Sequence, residues 1–252
     1  MLATRILPTQ NDFRNRLARA PRRLGASQEP AALPELTVYY EALLKAYGPQ
    51  HWWLGRTRFE VIVGAILTQS TSWSNVELAI VALRREKLLS PLALERVSLA
   101  RLSRLIRSSG YFRQKARKLK AFVHFLRKEY RGSLDRMFAT PTSKLREQLL
   151  GVHGIGPETA DSILLYAGDH PVFVVDAYTR RMLERHQLAH GKQNYEEIQW
   201  LFEQSLPARA PLFNEYHALI VHTGKHFCRK SVPRCEECAL KPFLPVPVEA
   251  RP

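Results

Sequence analysis

The stretch Leu149-Leu150-Gly151-Val152-His153-Gly154-Ile155-Gly156-Pro157-Glu158-Thr159-Ala160 joins two helical patterns through a Gly-Ile-Gly turn. Pro157 stands where proline is favoured as a first helical residue, so the segment reads as a helix, a hairpin and a second helix. Glycines at 154 and 156 let the main chain come close to a ligand. The start of the following helix offers unpaired N–H groups and the positive end of its dipole. A phosphate of a nucleic-acid backbone is the natural occupant of such a corner, although most Gly-x-Gly pairs between helices are simple tight turns.

Outward from this hairpin, apolar residues recur at three and four positions and period-two strands are scarce, so the chain reads as all-α. Helices are predicted over residues 37–46, 99–107, 112–130, 142–150, 157–167, 177–187, 195–206 and 212–223. Residues 60–67 are apolar enough for a strand, but the pattern runs on through 68–70 to Val76, Ile80 and Leu83, which reads as helix, turn, helix. In 112–130, Ala116, Leu119, Val123, Leu126 and Tyr130 share one face while Arg113, Arg117 and Lys120 fall on another, predicting a surface helix with a basic outer side.

A length of 252 residues predicts one large or two small domains, and 45% hydrophobic residues exclude global disorder. The longest aliphatic run, 61–67, is too short to span a bilayer, so no membrane partner is expected. Lys and Arg exceed Asp and Glu by 38 to 23, a net charge of +15, and residues 101–131 hold eleven basic residues against Glu129. Such a patch points to a polyanion. Residues 1–33 carry six arginines against Asp12 and Glu29 and read as a flexible basic arm, with an organelle transit peptide as the alternative. Three cysteines within 228–238 cannot form a closed disulfide framework and read as metal ligands in a reducing cytoplasm.

Val172-Phe173-Val174-Val175-Asp176-Ala177-Tyr178 ends an apolar run in a carboxylate at a helix start. Alone, Asp176 reads as an N-cap. The order of hairpin, apolar run ending in Val-Asp, and cysteine cluster resembles the endonuclease III class of DNA glycosylases (HhH-GPD) across most of residues 36–243. Within it, Tyr47-Gly48-Pro49-Gln50-His51-Trp52-Trp53, residues 59–73 ending in Leu67-Thr68-Gln69-Ser70-Thr71-Ser72-Trp73, and Glu158-Thr159-Ala160-Asp161 are similar to the 3-methyladenine glycosylase branch.

The resemblance implies a two-lobed helical protein with a base pocket between the lobes. Residues 57–168 would form a six-helix lobe ending in the hairpin, and 34–56 with 169–252 the second. It implies Asp176 as the catalytic carboxylate, which suits a reaction that builds positive charge on the sugar. Bifunctional members carry a lysine near the start of the helix after the hairpin. Glu158 stands there and cannot form an imine, which points to a monofunctional enzyme, Glu158 itself reading as a first-turn acid favoured by the helix dipole.

A base removed from the stack needs aromatic faces, for which Trp52, Trp53 and Trp73 are candidates. A tryptophan face also favours the positive charge of an N-methylated purine. Each of these residues reads equally well as core. Lys225 matches a Gly-Lys of the alkylbase branch, with a solvated lysine as the alternative. Gln69 resembles the residue that fills the space left by the flipped base, and Gly154, Ile155, Gly156 and Thr159 would meet the DNA backbone. Cys228, Cys235 and Cys238 match three ligands of the family's 4Fe-4S loop, here 228–244, but the fourth position is Leu244. An iron-sulfur cluster, a zinc site completed by His226, and no metal are the alternatives.

The expected protein is therefore a monomeric, cytoplasmic base excision repair enzyme of a bacterial nucleoid, acting on double-stranded DNA with damaged bases such as 3-methyladenine. A glycosylase/lyase of other base specificity and a non-catalytic DNA-binding protein are the competing readings.

Overall fold

A computed structural model describes residues 36–50, 52 and 55–245. The expected arm at 1–33 and Trp53 lie outside the described residues. In chain order the helices are α1 Leu36–Tyr47, α2 Arg58–Leu67, α3 Trp73–Arg85, α4 Pro91–Arg96, α5 Leu99–Leu105, α6 Phe112–Tyr130, α7 Leu134–Phe138 and α8 Thr142–Leu150. After the hairpin come α9 Pro157–Ser162, which continues as a π-helical turn Ile163–Ala167, then α10 Ala177–Arg185, α11 Tyr195–Ser205 and α12 Ala210–His226. No strand occurs among the described residues, as the periodicity predicts. The two helices not foreseen, α4 and α7, are six and five residues long, too short to show a period.

Helix starts follow local chemistry. Thr57, Ser90, Ser98 and Ser133 each accept a hydrogen bond from the main chain three residues on, and Asn194 with Glu197 forms a reciprocal capping box. The strand-like apolarity of α2 has a tertiary reason: residues 59–67 are all buried, so the helix is apolar on every side. Its buried Glu60 is paired with Arg84 of α3 at 2.7 Å.

The predicted inner face of α6 is buried throughout, and Arg113 and Arg117 are exposed. Its basic side is smaller than expected. Lys115 is 2% exposed and donates to the carbonyls of Leu67, at 2.9 Å, and Ser109, so it caps the end of α2. Lys120 is half-buried and donates to the carbonyls of Glu95, at 2.6 Å, and Val97. Both lysines satisfy carbonyls at the ends of other elements, which removes them from the outer face.

The hairpin helices are locked by a buried ion pair. Arg146 of α8 binds Asp161 of α9 through two hydrogen bonds of 2.7 and 3.0 Å, and Gln199 of α11 donates to Asp161 at 2.8 Å. Gln199 also holds the carbonyl of Phe173 at 2.7 Å, which fixes the extended, buried run leading to Asp176. Phe173 stacks on Phe202 with ring centroids 3.8 Å apart. Helices α10 and α12 approach closely because residue 224 is glycine: a Cβ there would lie 2.2 Å from the ring of Tyr178.

Candidate active site

The turn after α2, the first turn of α9, the start of α10 and the middle of α12 surround a cavity of about 210 Å³. Asp176, at its wall, is the N-cap of α10: Oδ1 accepts from Thr179 N at 2.8 Å and Thr179 Oγ1 at 3.0 Å. The capping reading of this residue is thus borne out, and the residue also lines the cavity. Burial pushes the Asp176 carboxyl up, but the nearby His217 and the two bonds from Thr179 outweigh it and hold it below its ordinary value. It is ionised at neutral pH.

Trp52 and Trp73 line the cavity, as do Gln69 and Lys225. Trp52 lies against His217 with ring centroids 5.2 Å apart and meets Tyr166 edge-on at 5.7 Å. Trp73 is 37% exposed at the mouth, and its Nε1 donates to Glu77 at 2.8 Å. Lys225 is exposed. Gln69 does not stand free: its Nε2 donates to Gly154 O at 3.1 Å and Thr159 Oγ1 at 2.9 Å, while Lys118 donates to its Oε1. The residue thereby ties the cavity to the hairpin.

At the hairpin, Gly154 has φ +81°, and a Cβ there would lie 2.5 Å from the stem of Lys118. Glycine is required on both counts. Ile155 is buried and its N–H is spent on Val152 O at 3.0 Å, so it anchors the turn from inside. Thr159 is buried with its hydroxyl bound by Gln69, and Gly156 is exposed. Of the four residues expected at the DNA backbone, Ile155 and Thr159 thus turn their side chains inward.

The model of the HhH-GPD superfamily of base excision DNA repair proteins matches residues 63–208. The chain belongs to that superfamily. A relative of this HhH-GPD protein in Methanocaldococcus jannaschii, provisionally named a DNA repair glycosylase, is 48% identical over 206 residues, 81% of this chain and 93% of the relative. Among solved structures, endonuclease III in a trapped covalent complex with DNA has a TM-score of 0.73 at 21% identity, covering 85% of this chain and 96% of its own, which shows the shared fold. The 3-methyladenine DNA glycosylase MagIII of H. pylori, bound to 1,N6-ethenoadenine, has a TM-score of 0.64 at 28% identity, covering 76% and 96%.

In this HhH-GPD glycosylase three further residues line the cavity with Asp176 that were not expected there. Glu158 stands in the first turn of α9, as expected, and also lines the same cavity as Asp176. Desolvation at the cavity and the charge of Asp176 push its carboxyl up against the opposing pull of His217 and Arg180, a shift that solvent weakens because the residue as a whole is exposed. Tyr166 and His217 also line the cavity, from the π-helical turn and α12. Position 158 was open to inspection as a departure from the family's lysine, whereas no local pattern marks 166 or 217.

The cysteines of the HhH-GPD chain gather at a different place. Cys228, Cys235 and Cys238 line a recess with Met182, His186 and Leu244. Leu244 brings no donor to the fourth position, and the ring of His226 packs on His222 at 4.6 Å rather than lining the recess. His186, which does line it, is hydrogen-bonded to Tyr39 Oη at 3.0 Å and to Phe243 O at 3.2 Å. Among the described residues no group of three or more His, Cys, Asp or Glu side chains has the arrangement to hold a metal ion. Three thiols without a fourth donor do not fit a four-thiolate iron-sulfur cluster.

Proposed function

We propose that this DNA glycosylase is monofunctional and hydrolyses the N-glycosidic bond of an alkylated purine, of the 3-methyladenine kind, flipped out of double-stranded DNA. The observation that carries this reading is the make-up of one cavity. An ionised Asp176 shares it with Glu158, the carboxylate at the position where bifunctional members carry a lysine, beside the indoles of Trp52 and Trp73. Asp176 stabilises the positive charge that grows on the sugar and orients a water for attack at the anomeric carbon. The indole faces hold the extruded base and favour a cationic N-methylated purine over its neutral parent. The base leaves easily because it departs neutral.

Residues 57–168, and 34–56 with 169–252, act as two lobes flanking the cavity, and the hairpin with the exposed Arg113 and Arg117 grips phosphates. The enzyme works as a monomer on chromosomal DNA in the cytoplasm, and no helix among the described residues is long and apolar enough to cross a membrane.

Lys225 at the same cavity favours one second reading, a glycosylase/lyase in which this amine attacks the sugar. Incubation with methylated DNA, each reaction split and analysed with and without alkali, separates the two. Free 3-methyladenine with strand breaks only after alkali supports the monofunctional reading. Breaks without alkali that vanish in Lys225→Met establish the second, and no release from any lesion overturns both.

A further inference from the structure

We infer that Tyr166 and His217 form a buried hydrogen-bond relay that orients Asp176, which makes both of them positioning residues for base release. The inference rests on the reading of Asp176 as the carboxylate that serves the reaction. Three elements meet here: Tyr166 comes from the π-helical turn after α9, His217 from α12 and Asp176 from the start of α10. His217 is 3% exposed, with Nδ1 2.6 Å from Tyr166 Oη and Nε2 3.6 Å from Asp176 Oδ2. Nε2 is buried and has no hydrogen-bond partner among the described residues, and the Asp176 carboxylate is the charged group it meets at ion-pair distance.

Chemistry selects the tautomer. Burial, reinforced by the charges of Asp176 and Glu158, holds the Tyr166 phenol well above its ordinary value, so it keeps its proton. When the ring is neutral, a phenol that donates to Nδ1 leaves the ring hydrogen on Nε2, directed at Asp176, and the charged ring presents the same Nε2 hydrogen. Oδ1 of Asp176 is then held by Thr179, and Oδ2 faces the imidazole at 3.6 Å. The 3.6 Å separation is longer than a hydrogen bond, as such contacts often are before substrate binds. Trp52 packs against His217 and meets Tyr166 edge-on, and the burial of His217 keeps the relay in a low dielectric where an oriented N–H counts for most. The other ionisable groups at the cavity wall are Glu158 from α9, Tyr178 from α10 and Lys225 from α12.

The first test needs no activity: 15N NMR of the full chain labelled at histidine. His217 is expected to show a protonated Nε2, with Nδ1 the unprotonated nitrogen whenever the ring is neutral, and a neutral ring protonated on Nδ1 instead overturns the relay. The second is single-turnover base release from methylated DNA by Tyr166→Phe, which removes one oxygen, and by His217→Phe. Tyr166→Phe should slow release roughly tenfold and His217→Phe about a hundredfold, the range set by a hydrogen bond to a charged group, with affinity for lesion DNA within about twofold. Loss of the imidazole N–H raises the Asp176 carboxyl, so the acidic limb of the rate profile should move to higher pH in His217→Phe. Unchanged rates and limb, or a loss confined to DNA affinity with the limb unmoved, overturn the proposal. Should His217→Phe fail to fold, Tyr166→Phe carries the same test. Should the wild-type chain release no base, the proposed function fails while the tautomer still judges the relay.

Discussion

Asp176 carries the clearest residue-scale expectation. Its carboxyl sits below the ordinary value, so ionisation, and any stability it lends, is present at neutral pH and lost only as pH falls through the depressed value. Asp176→Asn keeps a side chain able to cap α10 but removes the charge. It should retain lesion-DNA binding and slow base release by at least about a hundredfold, measured in single-turnover assays. Glu158 is shifted the other way, and its sign reverses: a carboxyl raised above its unfolded value costs stability once pH climbs past that value. Glu158 is exposed, so solvent screens most of this cost, and Glu158→Gln should melt only slightly higher than the wild type at pH 7 and show no gain at pH 4. Equal gains at both would place the effect outside ionisation. The two carboxylates share a cavity, so relieving one also lowers the other, and the acidic limb of the rate profile should drop in Glu158→Gln.

At the scale of elements, the hairpin depends on a buried ion pair and a glycine. Asp161 is fully buried and matched by Arg146 and Gln199, so removing one charge strands the other. Arg146→Met should destabilise the fold by about 3–5 kcal/mol in urea unfolding, and Arg146→Met with Asp161→Leu should recover much of that loss, since an apolar pair of similar volume replaces a buried ion pair at little cost. Gly154→Ala combines a positive φ with a clash against Lys118. It should cost about 1–3 kcal/mol and disturb the Gln69 contacts that run from the hairpin to the cavity, which a fall in lesion-DNA affinity would register. Short elements such as α7 begin with a serine cap that is plain in the chain, yet five residues offer no periodicity to confirm it.

For the whole molecule, a net charge of +15 predicts salt-sensitive binding to DNA, but the structure divides the basic residues by role. Arg113 and Arg117 face solvent on α6, and replacing each with Gln should weaken binding evenly across sequences and reduce the salt slope by about one per site. Lys115→Met should leave that slope unchanged and instead lower the unfolding midpoint, because its ammonium caps main-chain carbonyls inside the fold. The all-α class, most helix bounds, the caps, the hairpin glycines and Asp176 at the head of α10 were all determined by the sequence alone. Each depends on neighbours within a turn or two, where apolar periodicity and cap chemistry act. The meeting of Glu158, Tyr166 and His217 with Asp176, the diversion of Lys115 and Lys120 inward, and the placement of His226 away from the thiol recess were decided only by the tertiary structure. Those outcomes follow from packing around the buried residues 59–67 of α2 and from the close crossing of α10 and α12 at Gly224, contacts between residues too far apart in the chain for any local pattern to record.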